Sequence, residues 1–212
     1  MRRKANVVEK IEYMSVGETL RAVRFADVVV LVLDGEMMLE KQDLALARMV
    51  VEEGRALVIG VNKWDAVQDK KQAVKKLTDR LEASLAQIRG IPIAVFSATT
   101  GKGVDQLMPT VLQAYKVWNT RISTGALNRW LEPIVADHPP PLNKGRRIKI
   151  RYMTQVKARP PTFAIFASQP EAMPESYLRY LVNGLRQRFD LQGVPIRMLM
   201  RGPRNPYVDD KG

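Results

Sequence analysis

Asn62, Lys63 and Asp65, spaced as Asn-Lys-x-Asp directly after the apolar run Ala56–Val61, are the residues of this sequence best suited to chemistry. A carboxylate at that place accepts from the ring N1–H and the exocyclic amine of guanine together, a pair of donors that adenine does not offer in that arrangement. A site built on such bonds rejects the wrong base by leaving its own groups unpaired. In that arrangement Asp65 reads the base, Asn62 ties the neighbouring loop to it, and the stem of Lys63 packs over its face. A second stretch, Ser97-Ala98-Thr99, ends another apolar run, and its small residues let backbone N–H groups approach an acceptor such as guanine O6. Each motif has a plainer alternative: a polar turn with Asp65 or Asp69 as a helix N-cap for the first, an ordinary loop for the second.

Elements able to bring the two together are legible around them. Asp27–Leu33, Ala56–Val61 and Ile91–Phe96 are short runs of β-branched and apolar residues, as expected for strands covered on both faces. Between them Leu44, Ala47 and Val51, then Val74, Leu77, Leu81, Leu85 and Ile88, recur at helical spacing, with Gly54 and Gly90 where C-terminal caps belong. A further helix after Gly103 carries Val104, Leu107, Val111 and Ala114 on one face and ends near Trp118. This alternation predicts a parallel sheet with right-handed crossovers. Ligands of open α/β sheets sit at the carboxyl ends of the strands, which places both motifs on one edge.

Beyond Asn119 the pattern changes to α-β-β-α-β. A helix over Gly125–Ala136 is broken by the prolines of Asp137–Gly145, followed by strands over Arg146–Val156 and Pro161–Ser168, a helix over Glu175–Asp190 and a strand over Val194–Arg201. Tyr177, Leu178, Leu181, Leu185 and Phe189 form the apolar stripe of that helix. Residues 206–212 are expected to be a tail.

The net charge of +12 is uneven: residues 1–118 carry 18 basic and 15 acidic side chains, residues 119–212 carry 16 and 7. Lys144, Arg146, Arg147, Lys149 and Arg151, with Lys157 and Arg159 across the expected hairpin, are candidates for contact with RNA phosphates. On a regular strand Arg147, Lys149 and Arg151 share one face and Ile148, Ile150 and Tyr152 the other. An amphipathic strand with a solvated charged side is the alternative. No cysteine is present and the single His138 cannot anchor a metal alone, so neither disulfides nor a cysteine-based metal site is available and a reducing, cytoplasmic setting is expected. No apolar run approaches the length of a membrane span, and no membrane partner is expected.

The two motifs resemble the fourth and fifth motifs of Ras-like GTPases of the translation-factor class. The wider text, "SVGETLRAVRFADVVVLVLDG", "EKQDLALA" and "GRALVIGVNKWD", resembles the second GTPase domain of the EngA (Der) family of bacterial double-GTPase proteins in ribosome assembly. The second half is similar to that family's C-terminal KH-like domain through "STGALNRWLE", "KIRYMTQV", "RPPTFAIF" and "SYLRYLVNGLRQRFDLQGVPIR". The resemblance implies an α/β fold, a partial Ras-like parallel sheet over residues 1–118 followed by an α+β KH-like domain over 119–205. It also implies GTP or GDP with Mg²⁺ as cofactors of the full-length protein. Expected partners are rRNA of the large ribosomal subunit and the GTPase domains of the full-length protein.

The sequence also departs from such a GTPase. The P-loop pattern G-x-x-x-x-G-K-[ST] is absent, Gly101-Lys102 being followed by Gly103. Asp190-Leu-Gln-Gly193 has the letters of the metal-side motif but joins a helix to a strand in the second half, where a helix cap is expected. The chain is therefore expected to be a C-terminal fragment that keeps guanine recognition and lacks the phosphate and Mg²⁺ site. No catalytic residue and no metal ligand is assigned, and no GTP hydrolysis by the chain alone is expected. No Gly-x-x-Gly pair occurs in residues 119–212, against the usual KH grip on RNA. The alternative is an adaptor that binds rRNA or the ribosome without nucleotide. The strand Val28–Leu33 is expected to have one unpaired edge, and Val7–Phe25 little to pack upon.

Overall fold

Six successive buried residues, Ala56 to Val61, make the strand β2 (Ala56–Asn62) the centre of the first sheet. In the computed structural model, which describes residues 17–202, β2 lies between β1 (Val28–Asp34) and β3 (Ile93–Val95), all parallel. The register pairs Asp34 with Asn62 and Val61 with Val95, so the three strands end together. Helices α1 (residues 17–25), α2 (Lys41–Glu52), α3 (Lys70–Ser84) and α4 (Leu107–Trp118) complete this half. Leu33, Leu39, Val50, Leu57, Ile59, Leu77 and Leu81 form its core, each worth about 1.5–3 kcal/mol on removal from water.

Local chemistry sets the helix ends. The Glu40 amide donates to the Asp43 carboxylate at 2.7 Å to open α2, and Gly54, at φ +79°, closes it with its amide on the Val51 carbonyl. Asp69 caps α3 by accepting from the Gln72 amide at 2.9 Å. Leu85 and Ile88, expected on the α3 stripe, lie beyond its last residue, Ser84, although both are fully buried. Apolar spacing reports which side is buried, and a turn after a helix can keep the same side inward. Gly90 consequently sits in the following loop and caps nothing. Val104, expected on the buried face of the next helix, belongs to a 3₁₀ turn before α4 and is 43% exposed.

β1 was expected to be covered on both faces. It lies at the sheet edge, mostly half-buried, with Val32 55% exposed. Of the segment Val7–Phe25, residues 7–16 lie outside the described residues. In the remainder Val23 joins the core cluster while Phe25 is 84% exposed, so part of this segment does pack.

The chain divides after Val117 into two compact units, the four residues Gln192–Pro195 grouping with the first. In the second unit α5 (Thr124–Asp137) precedes β4 (Ile150–Lys157), β5 (Thr162–Ala167), α6 (Glu175–Arg188) and β6 (Arg197–Arg201). The sheet order is β4-β5-β6, antiparallel then parallel. Ser123 caps α5, its hydroxyl accepting from the Ala126 amide. Asn128 of α5 lies along the outer edge of β4, its carboxamide accepting from the Met153 amide and donating to the Met153 carbonyl, both at 2.9 Å. Gln155 accepts from the Ile122 amide and donates to the Thr120 carbonyl. Gly184, inside α6, leaves room for Trp130: a Cβ there would lie 2.8 Å from the indole. The Tyr177 hydroxyl donates to the His138 carbonyl, and burial, with Tyr180 beside it, pushes its pKa up to about 12.

The strand expected from Arg146 begins only at Ile150, because Lys144 and Gly145 both take positive φ in a tight turn closed by reciprocal Asn143–Arg146 hydrogen bonds. A bulge at Arg151 then breaks the alternation: Ile150 pairs with Ala167 and Tyr152 with Phe166. Tyr152 therefore does not share a face with Ile150, since one extra residue sends the side chains after it to the other side, until a second irregularity at Val156, between the pairs Gln155–Phe163 and Lys157–Thr162, reverses the alternation again.

Candidate functional site

The strand ends of the first sheet bring the two motifs together through their backbones. The Trp64 amide donates to the Phe96 carbonyl at 3.1 Å, and the Phe96 amide to the Val61 carbonyl at 2.9 Å. Asn62 completes the tie, its Oδ1 accepting from its neighbour Lys63 at 2.8 Å and from the Ala98 amide at 2.9 Å. The Ala98 N–H, expected to face a base, is thus directed at Asn62. It reaches guanine O6 only by sharing or releasing that bond.

Asp65 is exposed at the edge, and the Ser97 hydroxyl beside it holds its carboxyl below the ordinary carboxylate value, with a backbone bond and Lys70 adding to this. Ser97 is 2% exposed and its Oγ also accepts from the Thr100 amide at 3.2 Å. Its amide and carbonyl close the loop, bonded to Lys102 and Gly101 respectively at 2.9 Å. Gly103, at φ +79°, is required where that loop passes β3, since a Cβ would lie 2.5 Å from the Val95 carbonyl oxygen. Thr99 is exposed beside Ala98. An ionised acceptor at Asp65, oriented by a buried hydroxyl, fits a ligand that presents two adjacent N–H donors.

Lys63 takes the left-handed conformation, φ +56°, and its ammonium lies 2.6 Å from the Asp34 carboxylate. That contact lowers the Asp34 pKa and raises that of Lys63. Neither Asp34 nor Gly35 is among the site residues expected from the sequence, although Asp34 ends β1 in register with Asn62 and Gly35 follows it. The Gly35 amide donates to the Asn62 carbonyl at 2.8 Å, and a Cβ on Gly35 would lie 2.8 Å from that oxygen. The detectable signal was a carboxylate and a glycine closing a strand beside the Asn-Lys-x-Asp strand.

The seven basic candidates of the second unit, Lys144, Arg146, Arg147, Lys149, Arg151, Lys157 and Arg159, are all exposed but do not form one cluster. Lys149 precedes β4 and Lys157 ends it, so the groups at the two ends stand about 26 Å apart at a strand rise of about 3.3 Å per residue. Among the described residues no group of His, Cys, Asp or Glu is arranged to hold a metal ion, and no helix is long and apolar enough to cross a membrane.

Known proteins match both halves. The family described as the elongation factor Tu GTP binding domain matches residues 14–117, and the one described as KH-domain-like of EngA bacterial GTPase enzymes, C-terminal, matches 121–201. GTPase Der of Parvibaculum lavamentivorans is 53% identical over 211 residues, covering 100% of this chain and 45% of that protein. GTPase Der of Mesorhizobium japonicum is 53% identical over 208 residues, covering 98% of this chain and 43% of its own length. The chain thus spans less than half the length of these relatives. The solved structure of Era from Aquifex aeolicus bound to GDP and AlF4- aligns at a TM-score of 0.39 and 15% identity, over 86% of this chain and 67% of that one. An α/β unit with a parallel sheet of the GTP-binding kind followed by a KH-like unit, both matched in this order, places the chain in the EngA (Der) family.

Proposed function

We propose that this chain carries the base-recognition part of a GTP-binding site and the RNA-facing unit of a protein acting in assembly of the large ribosomal subunit. The observation that supports it is the Asp65 carboxylate, ionised and oriented by Ser97 at the strand-end edge, with the Asn62 bridge joining both motifs. Asp65 accepts from guanine N1–H and the exocyclic amine, Lys63 covers the base with its stem, and Ala98 meets O6. GTP or GDP with Mg²⁺ would supply the phosphoryl chemistry, through groups outside the motifs this sequence contains. This chain binds the base weakly and does not turn GTP over by itself. Cytoplasmic rRNA is the partner of the basic second unit.

Titration of the isotope-labelled chain with guanosine, followed at the Lys63, Asp65 and Ala98 amides, tests this. Shifts with guanosine, none with adenosine, and their loss in Asp65→Asn are expected. An unresponsive edge up to the solubility limit of guanosine would favour instead an adaptor that meets the ribosome without nucleotide. GTP turnover by the purified chain with Mg²⁺ would contradict the expected inactivity.

A further inference from the structure

The second sheet has two unlike faces. Met153, Phe163 and Ile165 are fully buried on one. The bulge at Arg151 turns Tyr152 to the other, where the register makes three cross-strand rows: Tyr152–Phe166–Arg201, Thr154–Ala164–Leu199 and Lys157–Thr162–Arg197. Tyr152 and Phe166 are stacked, centroids 4.3 Å apart and planes within 10°. Tyr152 is 42% exposed although Phe166 covers one side of its ring, and Leu199 is 37% exposed, while Ala164 and Thr162 of the central strand are buried, so the accessible part of this face is its two flanking strands. Arg151, Lys157, Arg197 and Arg201 are exposed, and β4, β5 and β6 contain no Asp or Glu.

We infer that this sheet face binds single-stranded RNA, a base stacking on the exposed Tyr152 and the phosphates running over Arg201, Arg197 and Lys157. An aromatic ring accepts any base on its face, while a groove of cations tracks the backbone. The pre-stacked Phe166 holds Tyr152 in one orientation, so little ring freedom is lost when a base joins the stack. Two of the three rows end in an arginine on β6, and no carboxylate lies between them to repel phosphate. The face also spans the distance between the two separated basic groups at the ends of β4. The carboxylates of an acidic protein would satisfy the arginines but would not extend the Tyr152–Phe166 stack, which a base does together with its phosphate. This inference rests on reading the second unit as RNA-facing and adds the surface and the form of RNA it takes.

Binding of fluorescein-labelled single-stranded and duplex RNA of equal length to the full chain, read by anisotropy at fixed salt, tests it. Y152L is expected to weaken single-strand binding by about fivefold or more, with Y152F near wild type and duplex binding unchanged by either. R201Q should weaken single-strand binding and flatten its salt dependence. In the wild-type chain, an oligonucleotide carrying 5-iodouracil should crosslink on irradiation to the peptide containing Tyr152. Equal single-strand binding by Y152L and wild type, or crosslinks confined to residues 144–149, would overturn the inference while leaving an RNA-binding unit in place. Poly-glutamate competing as well as RNA would show an acidic protein as the partner and overturn it too. No RNA binding by the wild-type chain would remove the broader reading along with it.

Discussion

Lys63 is held by two devices of different strength. Its positive φ is set by the turn, whereas its ammonium is positioned by Asp34, a pair with side chains 55% and 31% exposed and therefore open to screening by salt. The folded Asp34 pKa is lowered from 3.8, so its contribution is present above that value and fades as pH falls through the depressed one. The folded Lys63 pKa is raised from 10.5, so its contribution is complete below that value and fades as pH rises through the elevated one. Lys63→Met should move the Asp34 carboxyl midpoint upward in a carbon-detected titration; an unmoved midpoint would mean the pair does not persist in solution. Ser97→Ala should likewise raise the Asp65 midpoint, because the hydroxyl is the largest cause of its lowering. Gly35→Ala must push Cβ off the Asn62 carbonyl and Val67, at a cost of about 1–3 kcal/mol, and should weaken guanosine shifts at Lys63 and Ala98 together.

Elements here are ended and guarded by side chains. The Asn128 carboxamide takes the place of a neighbouring strand at Met153, satisfying a donor and an acceptor at the edge of β4. Asn128→Ala should cost about 1–3 kcal/mol in local stability, read as faster hydrogen exchange at the Met153 amide, and Asn128→Asp should not restore it at neutral pH, because a carboxylate oxygen would face the Thr124 and Met153 carbonyls. The strands, their parallel order and most helices were legible in the sequence because apolar period and Gly, Asp and Pro punctuation act locally. Tyr152 was assigned to the wrong face because a bulge depends on the partner strand, which a single run of residues does not contain. The same limit hid Asp34, whose role appears only when β1 and β2 lie in register. The strand-end turn of Asn62, Lys63 and Asp65 was legible since it is written in four consecutive residues, and so was a tie from Asn62 to the neighbouring loop, but not that the tie takes the Ala98 amide expected to face a base.

At the scale of the molecule, the first sheet is unequal at its two sides. Among the described residues β1 has no partner on its outer edge, and Val32 is exposed along it. Amides of Val28–Leu33 should exchange faster than those of Phe163–Ile165 in a monomeric sample; equal protection would show an uncompromised edge. An edge of this length invites a second copy, and β1 meeting β1 about a two-fold axis would join two sheets antiparallel. The outer margins of such a pair would both be β3, which has three residues, Ile93–Val95. That is too short to template another strand, so the expected association is isologous and closes on itself. Sedimentation at rising concentration should then fit a monomer–dimer equilibrium with no larger species, and open-ended polymers would show that contacts other than β1 drive it.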